Sequence, residues 1–245
     1  MAIVELDGAY NVRDLGGLHL VNGGLTRNGV LYRSDSLDCI SEHDEEILFN
    51  RLGIGAVIDL RTSAEVGNAD WRDGRIKYSL CPLIAESRLG REPFPSGNPQ
   101  ELARVYLDNV RDGHQAVGEI FRSLHYFLSI EVPCIFCCAA GRDRTGVIAA
   151  LLLSLVGVDL NDIAKDYVCS NRHADRVTQR LAENPLYSND KASSSEVILL
   201  QSETVLLFLD LIRIKYGGSA SFLRDCGLES NVLRGIRSRM IIDML

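Results

Sequence analysis

Lysine is scarce in this chain of 245 residues: only Lys77, Lys165, Lys191 and Lys215 stand among its 26 basic residues. The rest are arginines, whose planar guanidinium forks suit phosphate better than an ammonium point charge does. A net charge of −7 and a pI near 5.3 leave no basic surplus for a nucleic-acid partner. The apolar run after Gly146 is about a dozen residues long, too short to cross a bilayer. The amino terminus, Met-Ala-Ile-Val-Glu-Leu-Asp, has neither the basic start nor the apolar segment of an export signal. No transmembrane segment is expected, and a cytoplasmic location follows by default. The chain has no paired CxxC units and no Cys/His cluster, so no zinc site and no metal or other cofactor is expected. Gly141 to Gly146 has the spacing of a nucleotide-binding loop. Val147 and Ile148 stand where that loop needs Lys and Ser/Thr, which excludes it.

What remains is an ordinary globular composition, 46% hydrophobic and 24% charged, with a length suited to one α/β domain over residues 1–245. The seven cysteines are odd in number and mostly lie in apolar stretches, which reads as free thiols in a reducing compartment. Short aliphatic or β-branched runs at Val30–Arg33, Ala56–Leu60, Ile76–Cys81 and Val132–Cys137 predict strands. A helix opens at Ser41, with acidic residues in its first turns and Gly53 beyond its end. Further helices fit Gln100–Arg111, Gln115–Ile130, Gly146–Val158, Asn161–Ser170, Ser195–Tyr216, Ser219–Cys226 and Ser230–Met244. The expected fold is a mostly parallel central sheet with helices on both faces and a helix-rich carboxy-terminal half. Two long polar loops, Ala85–Pro99 and Asn184–Ser195, fit either recognition loops or plain surface. Arg172, Arg176 and Arg180 share one helical face. That stripe either rims an anionic substrate site or is a solvated face neutralised by Asp175 and Glu183.

The chemistry concentrates at residues 134–146, Cys-Ile-Phe-Cys-Cys-Ala-Ala-Gly-Arg-Asp-Arg-Thr-Gly. Cys138 and Arg144 are separated by five residues in a loop between a buried strand and a buried helix. Such a loop aims unpaired N–H groups along a helix axis whose dipole already favours an anion. Gly141 permits the tight turn that gathers them. Helix N-termini and adjacent cations lower a thiol pKa from about 8.5 to roughly 3.5–7.5. A Cys138 thiolate would then attack phosphorus and form a cysteinyl phosphate that water cleaves. Arg144 would grip the equatorial oxygens, with the backbone of Ala139, Ala140, Gly141, Arg142, Thr145 and Gly146 around them. The Thr145 hydroxyl either supports the thiolate or caps the helix. The leaving oxygen needs a proton donor, for which Asp143 in the loop and Asp59 at a strand end are the candidates. An Asp between two arginines can equally be an ion-pair partner.

The chain resembles the cysteine-dependent tyrosine phosphatases, and within them the bacterial atypical tyrosine/serine phosphatases. The resemblance is carried by Asn11-Val-Arg-Asp-Leu-Gly-Gly17, Leu31-Tyr-Arg-Ser-Asp35, Val57-Ile-Asp-Leu-Arg61 with Glu65, Gly141–Gly146, Asp166-Tyr-Val-Cys-Ser-Asn171, Tyr216-Gly-Gly and Phe222-Leu. It implies Cys138 as nucleophile, Arg144 as phosphate clamp and Asp143 as acid, with Arg13, Asp14, Asp59 and Arg61 supporting the site. It implies phosphorylated proteins or phosphoinositides as substrates. Two residues depart from the pattern: Cys137 stands where the family has a loop-bracing His, and Arg142 where it has Lys. A phosphate-binding protein without turnover, or a thiol redox enzyme such as an arsenate reductase using Cys134, Cys137 and Cys138, are the rival readings.

Overall fold

The four expected strands form, and three two-residue strands join them. In chain order the computed structural model has β1 (Arg13–Asp14), β2 (Leu25–Thr26), β3 (Leu31–Ser34), β4 (Ala56–Asp59), β5 (Lys77–Leu80), β6 (Cys134–Cys137) and β7 (Ile241–Ile242). It describes residues 2–69, 71–88, 97–188 and 197–242. The main sheet runs β1-β3-β6-β4-β5. Strands β3, β6, β4 and β5 are parallel, and β1 is antiparallel at one edge. Strand β6 is thus central, with Ser34 and Asp59 opposite Cys137 on its two sides. Whatever follows Cys137 emerges at the carboxyl ends of all four parallel strands, where open α/β sheets bind ligands.

Ten α-helices are described: α1 (Glu42–Glu45), α2 (Pro99–Asp112), α3 (His114–Ser129), α4 (Asp143–Val156), α5 (Leu160–Cys169), α6 (Ala174–Ala182), α7 (Pro185–Ser188), α8 (Ser202–Tyr216), α9 (Ser219–Asp225) and α10 (Ser230–Met240). Helix α1 begins as expected: the Ser41 hydroxyl accepts from the Asp44 amide, and the Asp44 carboxylate answers to the Ser41 amide. It continues through a π-helical turn, Glu46–Arg51. Alternation along β6 sorts its side chains between two apolar clusters. Cys134, Phe136 and Cys138 face the one built on α2, α3, α4 and α8. Ile135 and Cys137 face a smaller one with Leu48, Trp71 and the amino-terminal segment.

Three expected helix bounds are corrected. The buried helix starts three residues early, at Asp143, and stops where Gly157 turns left-handed (φ 91°). The helix expected over Ser195–Tyr216 begins at Ser202; residues 195 and 196 lie outside the described residues. The last helix ends at Met240, because Ile241 and Ile242 pair antiparallel with Thr26 and Leu25 and so satisfy their backbone in a ribbon. Of the two long loops, residues 89–96 of the first and 189–195 of the second fall outside the described residues.

Candidate active site

The loop from Cys138 to Arg142 is held from outside by its carbonyls. The Ala139 carbonyl accepts from the Ser36 amide at 3.3 Å and from Arg180 Nη2 at 3.1 Å. Asn11 Nδ2 donates to the Ala140 carbonyl at 3.2 Å and to the Gly141 carbonyl at 3.0 Å, and Arg33 Nη2 reaches the latter at 2.8 Å. A peptide unit points its N–H opposite to its carbonyl, so these bonds turn the following amides inward. Among the described residues, no amide from Ala139 to Arg144 donates to a protein acceptor. The result is a preformed ring of donors at the amino terminus of α4, suited to an oxyanion. Gly141 is obligatory here. Its φ is +66°, and a Cβ would lie 2.6 Å from the Ser34 carbonyl and the Asp35 amide nitrogen.

Gly146 does not match its expected role, and the Thr145 hydroxyl takes neither of the two roles expected of it. The Gly146 amide is already bound to the Arg142 carbonyl at 2.9 Å inside the first helical turn, so it is not free for phosphate. Its missing side chain instead admits the Tyr167 ring of α5. The Thr145 hydroxyl is buried and bonds neither Cys138 nor the helix start among the described residues.

Cys138 sits at the floor of this ring, 2% exposed, against the larger apolar cluster. Arg144 is braced by Glu65 through two contacts, Nη1 to Oε2 at 2.7 Å and Nη2 to Oε1 at 2.6 Å. Glu65 in turn accepts from the Thr62 amide and hydroxyl and from the Tyr187 hydroxyl. Burial alone would raise the Glu65 pKa, but Arg144 and these donors hold it down to about 2. Burial likewise works against the Arg144 charge, yet Glu65 and Cys138 keep it above its ordinary value.

The two candidate acids differ sharply in surroundings. Asp59 is 1% exposed and committed to Arg61 Nε and Nη2 and to the Tyr78 hydroxyl at 2.9 Å. Asp143, at the first position of α4, accepts from the Tyr106 hydroxyl on one oxygen. Arg61 also binds Asp38, the Ser36 hydroxyl and the Glu65 carbonyl, so Asp59 and Arg61 brace the segment that carries Glu65. Asp38 is held down to about 2: burial pushes it up, but Arg61, the Gly67 amide and Arg72 outweigh that.

Arg13 reaches behind the loop and donates to Asp166, Ser170 and Asn11. Arg33 shares Asp166 from the other side. Asp14 does not: it accepts the Gly16 and Gly29 amides, each at 2.8 Å, and fixes the turn around β1. Arg142 turns its guanidinium to the Ile198 carbonyl at 2.7 Å, leaving only its backbone in the loop. Cys137 points to the opposite side of the sheet from Cys138, and burial followed by the Asp59 charge pushes its thiol well above the ordinary range. Cys134 is pushed up to about 12 by burial. Arginine stripe and solvated face also part company. Arg180 binds Asp35 and the loop, whereas Arg176 lies exposed over Tyr10 and Arg172 is near Glu5. Asn11, Glu65 and Asp166 lay within quoted motifs without assigned roles. Asp35 likewise lay in the quoted Leu31–Asp35 motif and Arg180 in the arginine stripe, whereas Tyr106 had no signal in its neighbourhood that tied it to the loop.

A model of the tyrosine phosphatase family matches residues 4–242. The triple specificity protein phosphatase PtpB of Mycobacterium tuberculosis is 27% identical, over 96% of this chain and 99% of that protein. A Cupriavidus necator protein, provisionally named a tyrosine-protein phosphatase, is 31% identical over 95% of this chain and 87% of its own. Among solved structures, the core catalytic domain of the PP-IP phosphatase SIW14 of S. cerevisiae aligns with a TM-score of 0.40 and 16% identity. That alignment covers 77% of this chain and 92% of the other. Among the described residues, no helix is long and apolar enough to cross a membrane.

Proposed function

The chain belongs to the tyrosine phosphatase family of hydrolases, and from that premise we propose that Cys138 carries the phosphoryl group of a phosphomonoester as a covalent intermediate. The Cys138 thiolate attacks phosphorus in line with the ester oxygen. The S–P bond forms as the P–O bond breaks, and Asp143 gives its proton to the leaving oxygen. The inward amides of Ala139 to Arg144 and the Arg144 fork hold the equatorial oxygens throughout. In the second step Asp143 takes a proton from water as the water oxygen attacks phosphorus. The S–P bond breaks, the thiolate returns and inorganic phosphate leaves.

The observation that carries this reading is the donor ring itself. Its carbonyls are engaged from outside by Asn11, Arg33, Arg180 and Ser36, and its cation is pre-aimed by Glu65. Such positioning costs nothing at the moment of reaction, which is the larger part of phosphoryl-transfer catalysis. Phosphotyrosine is the proposed first substrate class, with phosphoserine, phosphothreonine or phosphoinositides as further ones. A nucleophile only 2% exposed favours an ester whose ring can reach down a recess. The thiol redox alternative has less support, since Cys137 faces the cluster opposite Cys138, Cys134 lies about 13 Å before it along extended chain, and burial disfavours both thiolates. The whole chain, residues 1–245, is proposed to act as one catalytic domain.

Phosphate release from phosphotyrosine and phosphoserine peptides and from phosphoinositide vesicles tests the proposal, with Cys138→Ser as the control. Release that is fastest from the phosphotyrosine peptide and abolished in the control supports it. Binding of the peptide with no release from the native chain would leave a phosphate-binding protein instead.

A further inference from the structure

Asp143 is tied to two tyrosines that the chemistry above does not use. Tyr106, in the middle of α2 and fully buried, donates its hydroxyl proton to Asp143 Oδ1 at 2.5 Å. The same hydroxyl oxygen lies 2.7 Å from that of Tyr167 on α5, and the two rings meet edge to face at 6.3 Å. A phenol has one proton to give. Since Tyr106 gives its own to Asp143, Tyr167 must supply the proton of the second contact. The chain of donors therefore runs one way, from Tyr167 through Tyr106 to Asp143.

The direction decides where Asp143 can be protonated. A proton on Oδ1 would either weaken that oxygen as the acceptor of the Tyr106 proton or, along the contact itself, be donated to Tyr106, which would then turn its own toward Tyr167. Among the described residues Tyr167 has no other acceptor, so its proton would be left buried without a partner, a costly state. Oδ2 accepts no protein hydrogen bond among the described residues and faces no such conflict. The geometry points to Oδ2 of Asp143 as the atom that delivers and retakes the proton, and to Tyr106, backed by Tyr167, as the positioning residue that holds it there. This inference rests on the proposal that Asp143 is the general acid.

The pair has a second consequence. As the Oδ2 proton passes to the ester oxygen, Asp143 becomes a carboxylate, and the Tyr106 hydrogen bond to Oδ1 becomes charge-assisted and stronger. It therefore stabilises the transition state more than the ground state. Both phenols stay protonated for this task. Burial and the Asp143 charge hold each hydroxyl above the ordinary tyrosine range.

The test is the dependence of kcat/KM on leaving-group basicity, which reads the step that forms the cysteinyl phosphate. A series of aryl phosphates from p-nitrophenyl to unsubstituted phenyl is measured with the native chain and with Asp143→Asn, Tyr106→Phe and Tyr167→Phe. The native chain is expected to be nearly flat, and Asp143→Asn to fall steeply toward the basic phenol, by about 100-fold or more. Tyr106→Phe is expected to lose about tenfold on phenyl phosphate and less than about twofold on p-nitrophenyl phosphate, with Tyr167→Phe following the same slope more weakly. An equal loss across the series, or no loss, in Tyr106→Phe would overturn the positioning role. A flat series for Asp143→Asn would overturn the acid assignment itself. If Tyr106→Phe loses cooperative melting, Tyr167→Phe carries the test, and a flat series there overturns the relay.

Discussion

Glu65 and Arg144 meet through both carboxylate oxygens and both terminal guanidinium nitrogens, at 2.6 and 2.7 Å, although they stand 79 positions apart in the chain. On the proposed mechanism, the pair fixes the clamping guanidinium before any substrate arrives. Its geometry also spreads the cost of change, because Glu65 closes its own turn through Thr62.

Replacing Glu65 by Gln leaves a buried Arg144 with half its bracing. The expected result is a KM for aryl phosphates raised roughly tenfold, a lower kcat and a loss of about 3 kcal/mol in unfolding free energy. Steady-state kinetics and denaturant titration of the same preparation check both. A variant with native kinetics would mean that Glu65 does not position the clamp.

The same pair sets an acid limit. Glu65 is held at about 2 in the folded chain against an ordinary 4.5, so its pKa is depressed by folding. Its contribution is therefore complete above the unfolded value of 4.5 and is lost as pH falls toward about 2. The difference corresponds to about 3 kcal/mol. The stability gap between native chain and Glu65→Gln, measured by urea titration, is expected to shrink steadily from pH 5 to pH 2. A gap independent of pH over that window would rule out the linkage.

Cys137 stands where the family has a bracing His, yet the loop here is braced by other groups. Cys137→Ser is accordingly expected to keep kcat within about threefold, since the side chain faces away from the loop among Leu37, Ile135 and Trp71. Asn11→Ala removes the donor to two loop carbonyls and is expected to cost about 100-fold in kcat. Kinetics of the two variants side by side give the comparison. A larger loss in Cys137→Ser than in Asn11→Ala would reverse the assignment.

Gly141→Ala places a methyl group against the Ser34 carbonyl at a backbone angle that L-residues avoid. At least 2 kcal/mol of stability is expected to go, together with phosphate competition for the site. Thermal melting with and without inorganic phosphate reads both losses. A fully stable variant that phosphate still protects would show the loop to be looser than its contacts imply.

The sequence carried the site further than it carried the fold's edges. Cys138, Gly141 and Arg144 were legible because strand, turn and helix signals flank them within a dozen residues. Strands β1, β2 and β7 were not, since two-residue pairings such as Leu25 with Ile242 show no periodicity. Ile241 and Ile242 instead extended a helical pattern. Glu65, Asn11 and Asp166 were visible only as parts of motifs, because their partners lie 79, 130 and 153 residues away. Tyr106 had no signal at all: an aromatic residue on the buried stripe of a helix looks like core until its hydroxyl finds Asp143. Gly146 misled for the opposite reason, since a loop glycine resembles a phosphate donor until the helix starts before it.

The central claim is a covalent phosphoryl group on Cys138. Rapid acid quenching during turnover of a ³²P-labelled aryl phosphate, followed by peptide mapping, measures it directly. The expected result is close to one labelled phosphoryl group per chain at saturating substrate, on the peptide containing Cys138 and absent from Cys138→Ser. Steady phosphate release with no label on that peptide, or turnover that survives Cys138→Ser, would contradict it.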